Sequence, residues 1–185
     1  MSRKPMVISV AAVSGGGKTT ITKELMKRLD NSKALYFDDY EFRESPADIC
    51  KWVEDGADYN EWNLEPFTTD VCSILDDPTV NYIILDYPFA YLNNGMSDYI
   101  DLSIYIETPL DIAMARRIIR DFSDDTVGNI LNDLTHYLSY GRTAYLEMEM
   151  SVKPSSDIVL DGVLPIERTV NQILKQIRKR EKYFT

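Results

Sequence analysis

Residues 6–20, MVISVAAVSGGGKTT, constrain this chain more than any other stretch. An apolar, largely β-branched run (Val7, Ile8, Val10) reads as a strand. It opens into three glycines, then Lys18, Thr19 and Thr20, and then Ile21, Leu25 and Leu29 recur at the spacing of a helix face. A strand, a tight loop and a helix start in that order form a cradle for phosphate. Glycines open backbone conformations in which consecutive N–H groups converge on an anion, and the helix start adds its own unpaired N–H groups and the positive end of its dipole. The expected nucleotide-binding residues are therefore Ser14, Gly15, Gly16, Gly17, Lys18, Thr19 and Thr20. Lys18 supplies a mobile charge for the β and γ phosphates, and the Thr19 hydroxyl a ligand for Mg2+.

Against the Walker A (P-loop) pattern G-x-x-x-x-G-K-[ST] there is one departure, since Ala12 stands where the first glycine belongs. A flexible linker also contains glycines. It is not preceded by a buried-type strand or followed by apolar residues at helical period, so the context favours a nucleotide site.

The 185 residues, 44% of them hydrophobic, suit one domain spanning 1–185 with a substantial core. With 20 basic against 30 acidic residues, a net charge of −10, a general nucleic-acid binder is disfavoured, because such affinity rests on neutralising phosphates. Cys50 and Cys72 have no metal-ligand spacing and do not make a disulfide scaffold, so they read as reduced thiols in a cytoplasmic protein. The first apolar run is too short for a membrane span. A homo-oligomer is compatible with all of this.

Along the chain, residues 34–37 form a short second strand that delivers Asp38, Asp39 and Tyr40 to its C-terminal end, where open α/β sheets bind ligands. A solvated acidic turn is the alternative. Ser45-Pro46 reads as a helix opening with a stop at Gly56. Asp58 to Trp62 (DYNEW) could stack on a planar or sugar-like ligand, or could simply pack Trp62 into the core. Residues 64–75 resume a helical pattern, residues 80–85 (VNYIIL) are the clearest buried strand, and Asp86 ends it where an acid could hold magnesium or its water. Asn93-Asn94-Gly95 marks a turn, residues 102–106 a strand, and Thr108-Pro109 begins a helix through Asp121 carrying Arg116, Arg117 and Arg120. These arginines either form a solvated face or close over transferring phosphates. Residues 124–150 are mostly helical, and His136 there is structural or superficial. Residues 157–160 are the last strand, and the final helix has Ile166, Val170, Ile173, Leu174 and Ile177 on one face. Five short strands alternating with helices predict an α/β fold with a parallel sheet covered on both sides.

Several pieces taken together resemble the uridine kinase, phosphoribulokinase and nicotinamide riboside kinase group of P-loop small-molecule kinases. They are AAVSGGGKTT, FDDY at 37–40, DYNEW, ILDYP at 84–88, ETPLDIAMARRIIRD at 107–121 and SDIVLDGVLP at 156–165. The resemblance implies a P-loop NTPase fold with a helical lid over about 109–142, and ATP and Mg2+ as cofactors. It implies that Asp38 accepts the proton of the acceptor hydroxyl and that Asp86 joins Thr19 at the metal and lies near the acceptor. Asp86-Tyr87 departs from that group's Glu-Gly pair. Lys18, Arg116 and Arg120 are the expected catalytic cations, with Arg117 on the nucleotide, and Asp39, Tyr40, Asp58 and Trp62 are expected around the acceptor.

The expected function is an ATP-dependent kinase acting on a hydroxyl of a small molecule, a nucleoside such as uridine or cytidine foremost. Nicotinamide riboside, pantothenate or a sugar are the acceptors next in line. A nucleotide-binding switch or ATPase module is the rival of another class. Asp38 and the arginines favour the kinase, because a switch needs no base on the acceptor side, and no N/T-K-x-D guanine signature is present.

Overall fold

The computed structural model describes residues 4–182. Its centre is β1 (Met6–Ala11), every residue of which is buried, as a strand flanked on both sides and covered on both faces must be. The chain continues through α1 (Lys18–Arg28), β2 (Ser32–Tyr36), α2 (Ile49–Glu54), α3 (Glu65–Leu75), β3 (Tyr82–Asp86), a one-turn α4 (Asn94–Ser97), β4 (Leu102–Glu107) and α5 (Leu110–Asp121). It then passes through α6 (Val127–His136), α7 (Arg142–Glu147), a short α8 (Lys153–Ser155), β5 (Ile158–Asp161) and α9 (Ile166–Glu181).

The strands form one parallel sheet in the order β2-β3-β1-β4-β5, with Val10 opposite Asp86 on one side and Ile104 on the other. This is the expected five-stranded α/β architecture. Because the chain moves from one side of β1 to the other between β3 and β4, a crevice opens beyond the C-terminal ends of the central strands, and ligands of such sheets bind there.

Alternation along β1 divides the core in two. Met6, Ile8 and Val10 face α1 and α9 (Ile21, Leu25, Val170, Ile173, Ile177), while Val7 and Ala11 face an aromatic-rich layer with Trp52, Tyr59, Phe67 and Tyr87. Each large apolar side chain buried this way contributes about 1.5–3 kcal/mol. No helix among the described residues is long and apolar enough to cross a membrane.

Three local expectations change. The helix anticipated from Ser45-Pro46 starts later, at Ile49, because the Asp48 side chain accepts from the Lys51 N–H at 3.0 Å and so caps the first turn there. The turn at 93–95 becomes α4, capped by Asn93. The amide nitrogen of that buried Asn93 side chain also donates to the carbonyls of Tyr59 and Trp62, pinning the DYNEW segment to the sheet's C-terminal edge. The helical stretch expected over 124–150 runs on to Ser155 and is broken on both sides of α7 by π turns, Tyr137–Gly141 and Met148–Val152.

Candidate active site

The loop after β1 is held by its neighbours as much as by its own sequence. Gly15 and Gly17 have φ of 75° and 104°, and a Cβ on Gly15 would lie 2.1 Å from the carbonyl oxygen of Ala113 in α5. The loop backbone and α5 are thus in direct contact. The Gly16 N–H donates to the Val13 carbonyl at 2.8 Å, and the buried Thr108 hydroxyl at the end of β4 donates to the Gly16 carbonyl at 2.9 Å. Ala12 is accommodated because its methyl group occupies space beside the bare Cα of Gly16, where a second Cβ would be 2.7 Å away. Ala12 is also absent from the residues with positive φ, so this position makes no demand for glycine.

In front of the loop is a cleft of about 560 Å³ lined by Gly15, Gly16, Gly17, Lys18, Thr19 and Thr20, by Arg116 and Arg120, and, past β5, by Gly162, Leu164 and Ile166. Its lining combines the phosphate loop and helix start with apolar side chains, Leu164 and Ile166 among them. Arg116 donates to the Gly162 carbonyl at 3.3 Å. Arg120 is held by Asp121, which raises its pKa, and a guanidinium nitrogen lies 3.4 Å from the Ser14 hydroxyl.

Asp86, 3% exposed at the end of β3, accepts a hydrogen bond of 2.6 Å from the Thr19 hydroxyl and lies 3.7 Å from the Lys18 ammonium. A carboxylate and a hydroxyl side by side are oxygen donors of the kind a hard divalent cation takes, completed in such sites by phosphate oxygens and water.

A second cavity, of about 270 Å³, opens on the other side of Lys18. Its lining includes Val13, Ser14, Lys18 and Asp38, the rings of Phe37, Trp52, Tyr59, Trp62, Phe89 and Tyr145, and the Glu147 side chain. Val13 and Lys18 line both cavities and so form a shared wall. Asp38 reaches this position because β2 ends at Tyr36 and a single 3-10 turn, Phe37–Asp39, swings it beyond the sheet edge.

Trp62 is therefore both a lining residue and a core residue: its ring packs against Phe37, Trp52 and Phe89, while its indole N–H, shielded from solvent, meets no acceptor among the described residues. Other residues singled out from the sequence point elsewhere. The Tyr40 hydroxyl donates to Asp70 on α3 at 2.6 Å, and burial followed by that carboxylate pushes its pKa up. Asp58 accepts from the backbone N–H and side-chain amide of Asn60 and so caps its own turn. Neither these two nor Asp39 lines the cavity. Arg117 forms a salt bridge with Asp133 of α6, tying α5 to α6 instead of lining the nucleotide cleft.

Tyr59, within the DYNEW segment, lines the cavity, and so do Tyr145 and Glu147, which the sequence did not mark. Tyr59 donates to Glu147 at 3.1 Å across 88 residues of chain, and burial together with that negative charge raises the pKa of the phenol, keeping it a donor. The available signal was an acid at the apolar-patterned positions of AYLEM, where Ala144, Tyr145 and Met148 turn to the same cavity.

No family model matches the chain. It is similar to a uridine kinase of Leuconostoc citreum, 23% identical over 97% of this chain and 100% of that protein, and to one of Staphylococcus aureus, 28% identical over 83% and 86%. Among solved structures its fold is similar to a gluconokinase from Sinorhizobium meliloti, with a TM-score of 0.56 at 14% identity covering 98% and 97% of the two chains. It is likewise similar to a deoxyadenosine kinase from M. mycoides, with a TM-score of 0.55 at 16% identity covering 94% and 100%. These two structural neighbours differ in acceptor, so the fold alone leaves the acceptor open. Fold and relatives agree in kind: the chain has the fold of P-loop kinases and resembles uridine kinases over most of its length.

Proposed function

We propose that the chain is an ATP-dependent kinase that transfers the γ-phosphoryl group to a hydroxyl of a nucleoside. The observation that carries this reading is the shared wall: Lys18 lines both the phosphate cleft and the aromatic cavity, and Asp38 lies in that cavity. An acceptor hydroxyl beside Asp38 is thereby within reach of a γ-phosphate held at Lys18. A planar base suits the cavity's rings, whose faces and edges favour stacked and edge-on aromatic contacts. The names of the curated relatives point the same way.

The loop amides and Lys18 hold the phosphates, and the Arg116 and Arg120 side chains contribute positive charge around the transferring group. Thr19 and Asp86 are the residues that would hold Mg2+, which when bound spreads the phosphate charge. Asp38 orients the acceptor hydroxyl and takes its proton as the oxygen bonds to the γ-phosphorus and the bond to the leaving ADP oxygen breaks. The aromatic walls limit water at the same position, which favours transfer over hydrolysis.

The test is a coupled ADP-release assay with a panel of nucleosides, on the wild type and Asp38→Asn. ADP release should depend on a nucleoside, and the variant should lose on the order of 100- to 10,000-fold in kcat with ATP affinity nearly unchanged. ADP release indifferent to every nucleoside, or full turnover by the variant, would overturn the reading.

A further inference from the structure

The acceptor cavity carries an unusual charge arrangement. Asp38 is one carboxylate in its lining; Glu147, from α7 on the opposite side, is the other. Lys18 is the one cation in that lining, and it is already engaged near Asp86 and the phosphate loop. Arg116 and Arg120 line the nucleotide cleft, and Arg117 is occupied by Asp133. Tyr59, buried beneath the site, donates its hydroxyl to Glu147 Oε1 and fixes the carboxylate at the cavity wall, leaving Oε2 without a hydrogen-bond partner among the described residues.

We infer that Glu147, held by Tyr59, is the acceptor-specificity residue: it accepts a hydrogen bond from a donor group of the acceptor and excludes acceptors that carry a negative charge. This rests on the kinase reading above. The physical grounds are two. An ionised acceptor makes the stronger kind of hydrogen bond to a neutral donor, and a second anion brought into a partly dry, ring-lined cavity beside Glu147 would lose its water with no cation to replace it but Lys18, which Asp86 already engages. The inference narrows the acceptors anticipated from the sequence. Neutral nucleosides and cationic ones fit, whereas a carboxylate such as pantothenate does not. Glu147 also differs in role from Asp38. It contacts the part of the acceptor remote from the reacting hydroxyl, so its contribution is to binding, in the ground state and the transition state alike.

The experiment uses the full chain with ATP and three probes, uridine, cytidine and orotidine, the last being uridine with a ring carboxylate. The wild type should phosphorylate a neutral probe and discriminate against orotidine. Glu147→Gln should raise the KM of the neutral acceptor on the order of 10- to 100-fold, with kcat and the KM for ATP within a few-fold of wild type. The same variant should narrow the discrimination against orotidine. Tyr59→Phe, which leaves the ring in place and removes the hydroxyl that positions Glu147, should shift the same KM in the same direction by less. An acceptor KM unchanged in Glu147→Gln, or a loss confined to kcat, overturns the inference while leaving the kinase reading intact. Absence of transfer by the wild type to every probe and to every nucleoside of the panel overturns both.

Discussion

Gly15 offers the sharpest test of how the phosphate loop is held, because two separate penalties converge on it and a neighbouring residue separates them. In Gly15→Ala the new Cβ would meet the Ala113 carbonyl oxygen at 2.1 Å and its carbon at 2.9 Å, at a residue with φ of +75°. Left-handed backbone costs a residue with Cβ about 1–2 kcal/mol. Forcing a methyl group into a packed contact costs about 1–3 kcal/mol. Together these predict a loss of about 2–5 kcal/mol. Gly17→Ala carries a φ of +104° but meets nothing within 4 Å, so it suffers backbone strain alone, on the order of 1–3 kcal/mol. The partner atom at Gly15 belongs to backbone, so relief requires α5 to retreat, and Arg116 and Arg120 retreat with it. Equilibrium unfolding in urea should therefore show a lower midpoint for Gly15→Ala than for Gly17→Ala at an unchanged slope. Calorimetry with ATP should show a matching extra loss of affinity. Equal unfolding midpoints for the two variants would refute the idea that contact with α5 limits this loop.

Other outcomes follow from single groups. The Tyr87 hydroxyl is fully buried and lacks a partner among the described residues, while its ring stacks on Phe67, so Tyr87→Phe should leave stability unchanged or raise it by about 1–2 kcal/mol; a drop in the unfolding midpoint would expose a missing partner. Asp77 accepts from the Thr79 hydroxyl, from Lys33 and from the Thr79 backbone N–H, which hold its pKa below the ordinary carboxylate value. A depressed folded-state pKa stabilises at pH values above the unfolded one, about 4, and that contribution fades as pH falls through the folded value. The stability difference between wild type and Asp77→Asn should accordingly be present at neutral pH and shrink below pH 4, as followed by urea unfolding across a pH series; a difference that grew on acidification would contradict the assignment.

The parts of the molecule legible in the sequence are those whose determinants are local. The run MVISVA has to be buried on both faces, glycines and Lys18 follow it directly, and Ile21 and Leu25 share a helix face, so strand, loop and helix could be read within thirty residues. The same holds for β3 and for α9. What stayed hidden depends on distant partners. Nothing near Arg117 in sequence says that it faces Asp133 while Arg116 and Arg120, on the same helix, turn to the nucleotide cleft. Asp58 looked like a ligand for a sugar because it sits among aromatics, yet its short carboxylate accepts from the Asn60 N–H two residues on and serves its own turn first. Tyr87 stood out as a departure from a Glu-Gly pair, and only packing reveals that its ring fills the core between Phe67, Phe37 and Phe89. Glu147 was invisible for the same reason, since its partner Tyr59 belongs to another segment.

The π turns on either side of α7 act as a phase adjustment. Each α-helical residue advances the face by about 100°, and a π turn contributes an extra residue to the winding. The direction in which Tyr145 and Glu147 project is consequently decoupled from the direction set by α6, which is fixed through Asp133. A family of such chains could re-aim the wall of the aromatic cavity by gaining or losing one residue between 137 and 141, rotating a whole set of side chains at once while the sheet and phosphate loop stay as they are.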